Sequence, residues 1–283
     1  MTIKINGQNA DITLDLEKTV GDFLAAMEQW LENSGHRLSG LAIDGEAVGA
    51  VAMEAAFSRE VQTITTLDIF TSPLHELSAQ SLIQVYRDSD EYENLGFDEK
   101  QIYFEKWKES PQAKHLAEQI PDIFALCSRA FSGDTSFNIA RTVVQERLRE
   151  FENPAAELSG LGHLVDEVCR RLEELPLDIQ TGKDARAAET IQIFTSAAEK
   201  LFRIFNILGV QGFPIETIKA GEAEVSAYIA EFNAAVKEIL AAYEQQDTVL
   251  IGDIAEYELA PRLRVLTASL SRAVEENIWA LQA

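Results

Sequence analysis

Residues 1–27, MTIKINGQNADITLDLEKTVGDFLAAM, change their hydrophobic period within one short stretch. Residues 2–6 and 10–15 alternate apolar and polar side chains, as half-buried strands do. Between these runs, Asn6-Gly7 supplies the positive φ angles that a tight hairpin needs. The stretch therefore predicts a β-hairpin that leads directly into a helix.

The helix after the hairpin carries its own start signal. Thr19 is the predicted N-cap, and Asp22 takes the acidic position of a capping box. The predicted apolar face, which ends before Gly35, consists of Val20, Phe23, Leu24, Met27 and Leu31. Two more strands are predicted at residues 41–48, which contain an Asp-Gly turn, and at residues 61–70.

This order of elements, together with EKTVGDFL (residues 17–24) and LAIDGEAV (residues 41–48), resembles the β-grasp fold. That fold is the ubiquitin-like fold shared by small bacterial sulfur-carrier proteins. The resemblance covers residues 1–72, which we call the head. Sulfur carriers expose a C-terminal diglycine, whereas here the last strand continues through Thr71-Ser72-Pro73 into helix. The resemblance therefore implies docking or scaffolding rather than sulfur transfer.

From Pro73 onward the apolar residues change period from 2 to about 3.5. The sequence thus predicts an α+β protein, with a β-grasp-like domain at 1–72 and a mostly antiparallel all-α helical bundle at 73–283. We expect about six or seven helices between Leu74 and Leu281, with Pro176 among the loop markers. Four apolar seams are Leu158–Leu175, Ile191–Leu208, Val225–Tyr243 and Leu259–Ile278. Residues 87–111 are weakly periodic and predict an exposed, loop-rich pair of short helices.

The charge of the chain limits its partners. With 47 acidic and 24 basic residues, the net charge is −23. A field of this sign repels phosphate backbones and anionic lipid headgroups, so we expect neither nucleic acid nor a membrane as a partner. No apolar stretch reaches about 18 residues, the length that a membrane-spanning helix needs. We expect a cytoplasmic protein.

The sequence predicts no metal, no cofactor and no catalytic residue. Four histidines are scattered, and neither an HExxH nor a CxxC motif occurs. Cys127 and Cys169 lie on or beside apolar stripes, which predicts reduced structural thiols. A nucleophilic pair of either cysteine with His115 or His163 remains an alternative.

Gly182-Lys183 invites comparison with a phosphate-binding loop, but the second glycine and the hydroxyl residue of that motif are missing. Thr181 as an N-cap, with Asp184 in the capping-box position, predicts a helix start instead. The alternative is a polar surface motif in which Thr181, Lys183 and Asp184 bind an anionic side chain or ligand.

The helix predicted at residues 244–263 is the most unusual one. Asp247 caps it, and Pro261 predicts a kink near Tyr257. Carboxylates cluster on the kinked segment, at Asp253, Glu256 and Glu258. Two interpretations stay open: these acids line a pocket together with Tyr257, or they face water while the helix bends around its neighbours.

Aromatic residues form two further leads. Trp30 lies at the edge of the apolar face of the first helix, where it either packs against the helical domain or serves a partner. Tyr92, Phe97, Tyr103, Phe104 and Trp107 fall in the weakly periodic segment. Either set is a candidate recognition surface.

These observations favour a non-enzymatic cytoplasmic adaptor or chaperone-like protein, whose partner is another protein of basic or helical character. It is similar in class to bacterial secretion and flagellar-export chaperones, which are acidic and often helical. The alternative is an enzyme or small-ligand binder that uses carboxylates in a helical-bundle pocket. A dimer built on a spare helical seam also remains open.

Overall fold

The computed structural model describes residues 1–12 and 17–282, with the side chains of residues 29, 32, 50 and 277–282 outside the description. It confirms the α+β class, because a small mixed sheet near the N-terminus is followed by helices. Contacts divide the chain into two compact units, Met1–Val144 and Gln145–Ala283. The predicted domain boundary at Pro73 lies within the first unit.

The sheet has five strands within the described residues, in the order β2-β1-β5-β3-β4. β1 pairs in parallel with β5, whereas the other neighbouring strands are antiparallel. The elements are β1 (Thr2–Ile5), β2 (Gln8–Asn9), α1 (Val20–Asn33), β3 (His36–Ile43), β4 (Glu46–Ala47), α2 (Met53–Phe57) and β5 (Thr66–Pro73).

Both predicted turns are confirmed. Asn6 and Gly7 have φ angles of 50° and 79°, and Asp44 and Gly45 have 56° and 88°, the left-handed values that a tight hairpin requires. Asn6 also fastens β1 to β5, because its side-chain carbonyl accepts a hydrogen bond of 2.9 Å from the Thr71 N–H.

The strand limits differ from the prediction. The second strand is Gln8–Asn9, whereas residues 10–12 of the predicted strand at 10–15 are not strand and residues 13–15 lie outside the described part of the chain. β3 begins at His36, five residues before the predicted strand at 41–48. β5 begins at Thr66, because Val61–Thr63 form a 3₁₀ turn where the alternation predicted strand.

Helix α1 starts as its sequence predicts. The Thr19 N–H donates to the Asp22 carboxylate at 3.0 Å, and the Asp22 N–H donates to the Thr19 hydroxyl at 3.1 Å. These bonds lower the pKa of Asp22, first through the Thr19 backbone. All five residues of the predicted apolar face are buried, and four of them, Val20, Phe23, Leu24 and Met27, form one core with Ile3, Leu67 and Ile69 of the sheet.

Five helices complete the first unit and carry the chain across its boundary: α3 (Leu74–Glu93), α4 (Phe97–Lys108), α5 (Pro111–Gln119), α6 (Pro121–Phe131) and α7 (Phe137–Glu152). Residues 87–111 are mostly helical rather than loop-rich. Ser110 caps α5 by accepting from the Ala113 N–H at 3.2 Å. Short connections between α4, α5 and α6 explain why the predicted number of helices is too small.

The second unit contains α8 (Pro154–Gln180), α9 (Asp184–Val210), α10 (Val225–Glu244), α11 (Thr248–Asp253) and α12 (Ala260–Gln282). Ten α-helices therefore follow Pro73 in the described chain, against the six or seven predicted. The four predicted seams supply its core, and the one along α8 is buried at each of its six positions. Ile278 and Leu281 lie among the side chains outside the description.

Two prolines of this unit lie within helices: Pro176 in α8 and Pro261 in α12. Pro176 is inside α8, so the predicted loop there is wrong. An added Cβ on Gly252 of α11 would lie only 3.0 Å from the Pro176 Cβ, so the ring fills space that this glycine leaves free. Before Pro261, residues Ile254–Leu259 form a π-helical segment, and this segment contains Tyr257, near which the sequence predicts a kink.

No helix in the described part of the chain is long and apolar enough to cross a membrane.

Candidate functional site

A groove on the head contains one of the predicted site residues, Trp30. We call it the head groove; its volume is about 520 Å³, and its apolar lining is Ile5, Ala10, Ile12, Phe23, Ala26, Met27 and Trp30. Helix α1 positions four of these side chains, because residues 23, 26, 27 and 30 are spaced three and four apart and share one helix face. Phe23 and Met27 are buried and form the floor, whereas Trp30 is 56 % exposed at the rim.

The chemistry of the head groove suits an apolar group that has a positive charge beside it. Asp11 is exposed and lines the groove, and Glu17 adds a second carboxylate to its wall. An indole at a rim offers a large apolar face and an N–H donor, the combination enriched at protein interfaces. The groove can therefore bind an apolar side chain whose neighbours are basic.

The structure rules out Trp107 as an exposed recognition residue. Its side chain is only 3 % exposed. The indole lies 4.6 Å from the Phe131 ring and 5.7 Å from the Phe124 ring, measured between centroids. The rings of Tyr92, Tyr103, Phe104 and Trp107 all lie near the Phe131 ring of α6 and form an aromatic cluster with it, whereas Phe97 is exposed. The prediction of an exposed aromatic surface is wrong here because α4 buries its aromatic face.

Thr181 ends a helix rather than starting one. It follows α8, and its hydroxyl donates to the Leu177 carbonyl at 2.7 Å. Gly182 takes a φ of 71°, and the Lys183 N–H donates to the Asp178 carbonyl at 2.8 Å, as in a glycine-terminated helix. The predicted N-cap is therefore wrong, because α8 continues through Pro176 up to this glycine. Asp184 is the first residue of α9.

The charge of Lys183 is engaged within the turn. Its Nζ lies 3.3 Å from the carboxylate of Asp178, whose side chain is 2 % exposed. Arg186 approaches the same carboxylate at 3.3 Å and binds Glu174 at 2.5 Å. Because a buried carboxylate already takes both cations, this turn is built as an internal ion-pair cluster, and its geometry does not support the anion-binding alternative.

Asp253, Glu256 and Tyr257 lie on or next to the π-helical segment, and they do not converge in a cleft. Tyr257 is 65 % exposed and Asp253 is exposed. The carboxylate of Glu256 accepts a hydrogen bond from the Tyr257 hydroxyl and raises the pKa of that phenol. Glu258 instead binds Arg262 at 2.6 Å. The arrangement favours the interpretation in which these acids face water.

The two cysteines are buried free thiols. Burial raises the pKa of Cys127 to about 12 and that of Cys169 to about 11, so the nucleophilic thiolate is scarce at neutral pH. The Nε2 of His115 lies 3.0 Å from the Ser78 hydroxyl, which is its hydrogen-bond partner in the described structure. A nucleophilic pair of a cysteine with His115 therefore has no support.

The structure has a second groove that the sequence does not predict. It lies in the first unit between β3, α3 and α5, and Arg37, Ser81 and Arg87 contribute to its lining. The sequence carries one signal for it: Leu77, Gln80, Ser81, Gln84 and Arg87 share one face of α3, and most of them are polar.

Comparison with known proteins identifies similar chains. Residues 1–73 match the family model described as the TP0873 N-terminal domain, and residues 157–269 match a domain of unknown function, DUF8042. The chain is 21 % identical over 267 residues to an uncharacterized protein of Treponema pallidum (strain Nichols), with 94 % of each chain covered. No solved structure matches the chain.

Proposed function

We propose that this protein is a non-enzymatic, cytoplasmic protein-interaction protein of the adaptor or chaperone-like kind. Its head groove takes a segment of a partner protein. The single observation that carries this proposal is the exposure of Trp30, at 56 %, on the rim of an apolar groove. Leaving an indole exposed beside an apolar groove has a solvation cost that binding of a partner removes.

The proposal includes a β-grasp type of head. The order β2-β1-β5-β3-β4, with a parallel central pair and α1 packed on the sheet core, supports that assignment. β5 runs to Pro73 and α3 begins at Leu74, so the strand that carries the diglycine in sulfur carriers continues here into a helix. A head joined in this way is suited to docking rather than to group transfer through a free carboxylate.

The chemistry of the partner follows from the groove and from the net charge. Ile5 and Phe23 offer apolar contact, Asp11 offers a carboxylate, and the chain carries a net charge of −23. We therefore expect a partner segment with apolar anchors flanked by lysine or arginine. Complementary charge of this kind mainly speeds association and selects the partner, whereas the apolar anchors supply affinity.

The cytoplasmic assignment is supported by the cysteines. Cys127 and Cys169 are both free and buried, as expected for structural thiols in a reducing compartment.

Photocrosslinking in the native cytoplasm tests the proposal. A benzoylphenylalanine at Ala26, an exposed residue that lines the head groove, should crosslink to one protein in high yield. The second variant Trp30→Ala should abolish that crosslink, while Phe97→Ala should keep it. Phe97 is a matched control because it is 91 % exposed and lies outside the groove. Equal yields in the two alanine variants, or no crosslinked protein at all, would refute the proposal.

A further inference from the structure

The groove between β3, α3 and α5 has a lining unlike the surface of the chain as a whole. We call it the arginine groove; it is lined by Arg37 from β3, Gln80, Ser81 and Arg87 from α3, and Gln112 and His115 from α5, among others. Its volume is about 540 Å³, enough for a small molecule. In the chain, acidic residues outnumber basic ones 47 to 24, yet none of the described lining residues is acidic.

Arg87 is exposed and, among the described residues, makes no ion pair. Arg37 does pair with Glu118, at 2.7 Å, but that carboxylate is 53 % exposed. An exposed pair of this kind contributes little to stability, and a guanidinium has five N–H donors, so Arg37 keeps donors for another acceptor. The groove thus has two guanidinium groups able to bind an anion.

Ser81 contributes a hydroxyl to the lining of this groove. The residue is only 5 % exposed, and its side chain makes no hydrogen bond with the described residues. Its hydroxyl is nevertheless not among the fully buried polar atoms of the described chain, so water in the groove can reach it. A ligand oxygen in the groove would replace that water as the hydrogen-bond partner.

His115 adds a polar but uncharged wall. Burial lowers its pKa, Arg37 lowers it further, and Glu118 acts in the opposite direction. The ring is therefore neutral at neutral pH, with its Nε2 held by Ser78. The amide groups of Gln80 and Gln112 add neutral donors beside it. The Glu118 carboxylate, which pairs with Arg37, is the negative charge with which an anion would compete for that guanidinium.

We propose that the arginine groove binds a small-molecule anion through a phosphate or carboxylate group held by Arg37 and Arg87, with Ser81 as a hydrogen-bond partner. Two planar guanidinium groups and neutral donors are the chemistry that recognises such oxyanions. This site is separate from the head groove, and the proposal of an anion site does not depend on whether the head binds a protein.

Calorimetric titration with sodium phosphate and with disodium succinate tests the site on the full chain, at ionic strength matched with sodium chloride. Matching is needed because a chain with a charge of −23 is affected by salt without any specific site. We expect saturable binding of one probe per chain. Stronger binding of phosphate identifies a phosphorylated ligand, and stronger binding of succinate identifies a carboxylate ligand.

Two arginine variants test whether the probe anion binds in the arginine groove. Arg87→Gln removes one guanidinium contact and should weaken binding of the preferred probe about tenfold or more. Arg129→Gln makes the same charge change at an exposed arginine of α6, outside the groove and without an ion pair among the described residues, and should leave the dissociation constant within about twofold. Ser81→Ala should weaken binding as well. Absence of saturable binding for both probes, or equal losses in the two arginine variants, would overturn the proposal.

Discussion

The ion-pair network around Lys200 offers a sharp test of how the second unit is held together. Lys200 of α9 lies 2.8 Å from both Glu146 of α7 and Glu157 of α8, so it links three helices. Its side chain is 16 % exposed. Replacing it by methionine keeps the apolar stem and its packing while it removes the charge and both hydrogen bonds.

The expected loss follows from the exposure of the partners. A hydrogen bond to a charged group contributes about 1.5–3 kcal/mol when it is shielded from water. Glu157 is shielded, with a side chain 19 % exposed, whereas Glu146 is 41 % exposed and regains solvation once Lys200 is removed. Arg149 still pairs with Glu157, at 3.2 Å. We therefore expect Lys200→Met to lower the free energy of unfolding by about 2 kcal/mol, or the melting temperature by roughly 4–8 °C.

The pH dependence has a definite sign. Hydrogen bonding from Lys200 lowers the pKa of Glu146 below its ordinary value of 4.5. For Glu157, burial alone would raise the pKa, but the bonds from Lys200 and Arg149 lower it overall. A carboxylate with a lowered folded pKa stabilises the fold above its ordinary pKa and loses that effect as the pH falls through the folded value. The difference between wild type and Lys200→Met should therefore shrink as the pH is lowered from 7 to 4.

Urea unfolding of the full chain at pH 7 and pH 4, followed by circular dichroism, measures both quantities. Lys237→Met is the matched control, because Lys237 is an exposed lysine of α10 without an ion pair among the described residues; it should change stability by less than about 0.5 kcal/mol. The reasoning fails if Lys200→Met costs no more than this control at pH 7, or if its cost is the same at both pH values.

Three further outcomes follow from the packing. Trp107→Ala should lower the free energy of unfolding by about 3–5 kcal/mol in urea titrations, because it empties an aromatic core position, and a loss below about 1 kcal/mol would contradict that burial. Gly252→Ala should lower the melting temperature even though alanine favours helix, because its Cβ would approach the Pro176 ring; an unchanged or raised value would contradict the contact. Cys127 and Cys169 should react with a thiol reagent at pH 8 only at the rate of unfolding, and fast labelling of the native chain would show that they are accessible.

Much of the fold was predictable because single elements carry their own signals. The Thr19–Asp22 capping box and the Asn6-Gly7 turn are local, and each is formed by residues no more than three positions apart in the sequence. The apolar spacing along α8 similarly needs only one helix face to be recognised. The prediction and the structure agree where the residues that determine an element all lie within one turn or on one face of that element.

The predictions are wrong where residues distant in the sequence determine the burial or the secondary structure of a residue. Trp107 lies in a polar, weakly periodic stretch, and its burial depends on rings of α6 that are distant in the sequence. Pro176 predicts a break, yet α8 continues through it, and its ring lies beside Gly252 of α11, a neighbour that the sequence does not reveal. His36 to Gly40 contain few apolar residues, but β5 supplies the hydrogen bonds that make them strand.

The candidate sites divide in the same way. Trp30 was found because its position at the edge of one helix face is visible in the sequence. The arginine groove could not be found, since Arg37, Ser81 and Gln112 come from three elements and their proximity exists only after folding.

The position of β1 has a consequence for biosynthesis. Within the head, β1 precedes the other strands in the sequence, yet it lies inside the sheet, where it pairs with β2 on one side and, from Thr2 to Ile5, with residues 66–69 on the other. One edge of this strand therefore stays open until nearly the whole head has left the ribosome. Parallel pairing of such distant segments is slow compared with helix formation. The pairing of β1 with β5 in the middle of the sheet is therefore the last step in forming the head. A fragment meant to contain the head must extend to Pro73, the last residue of β5.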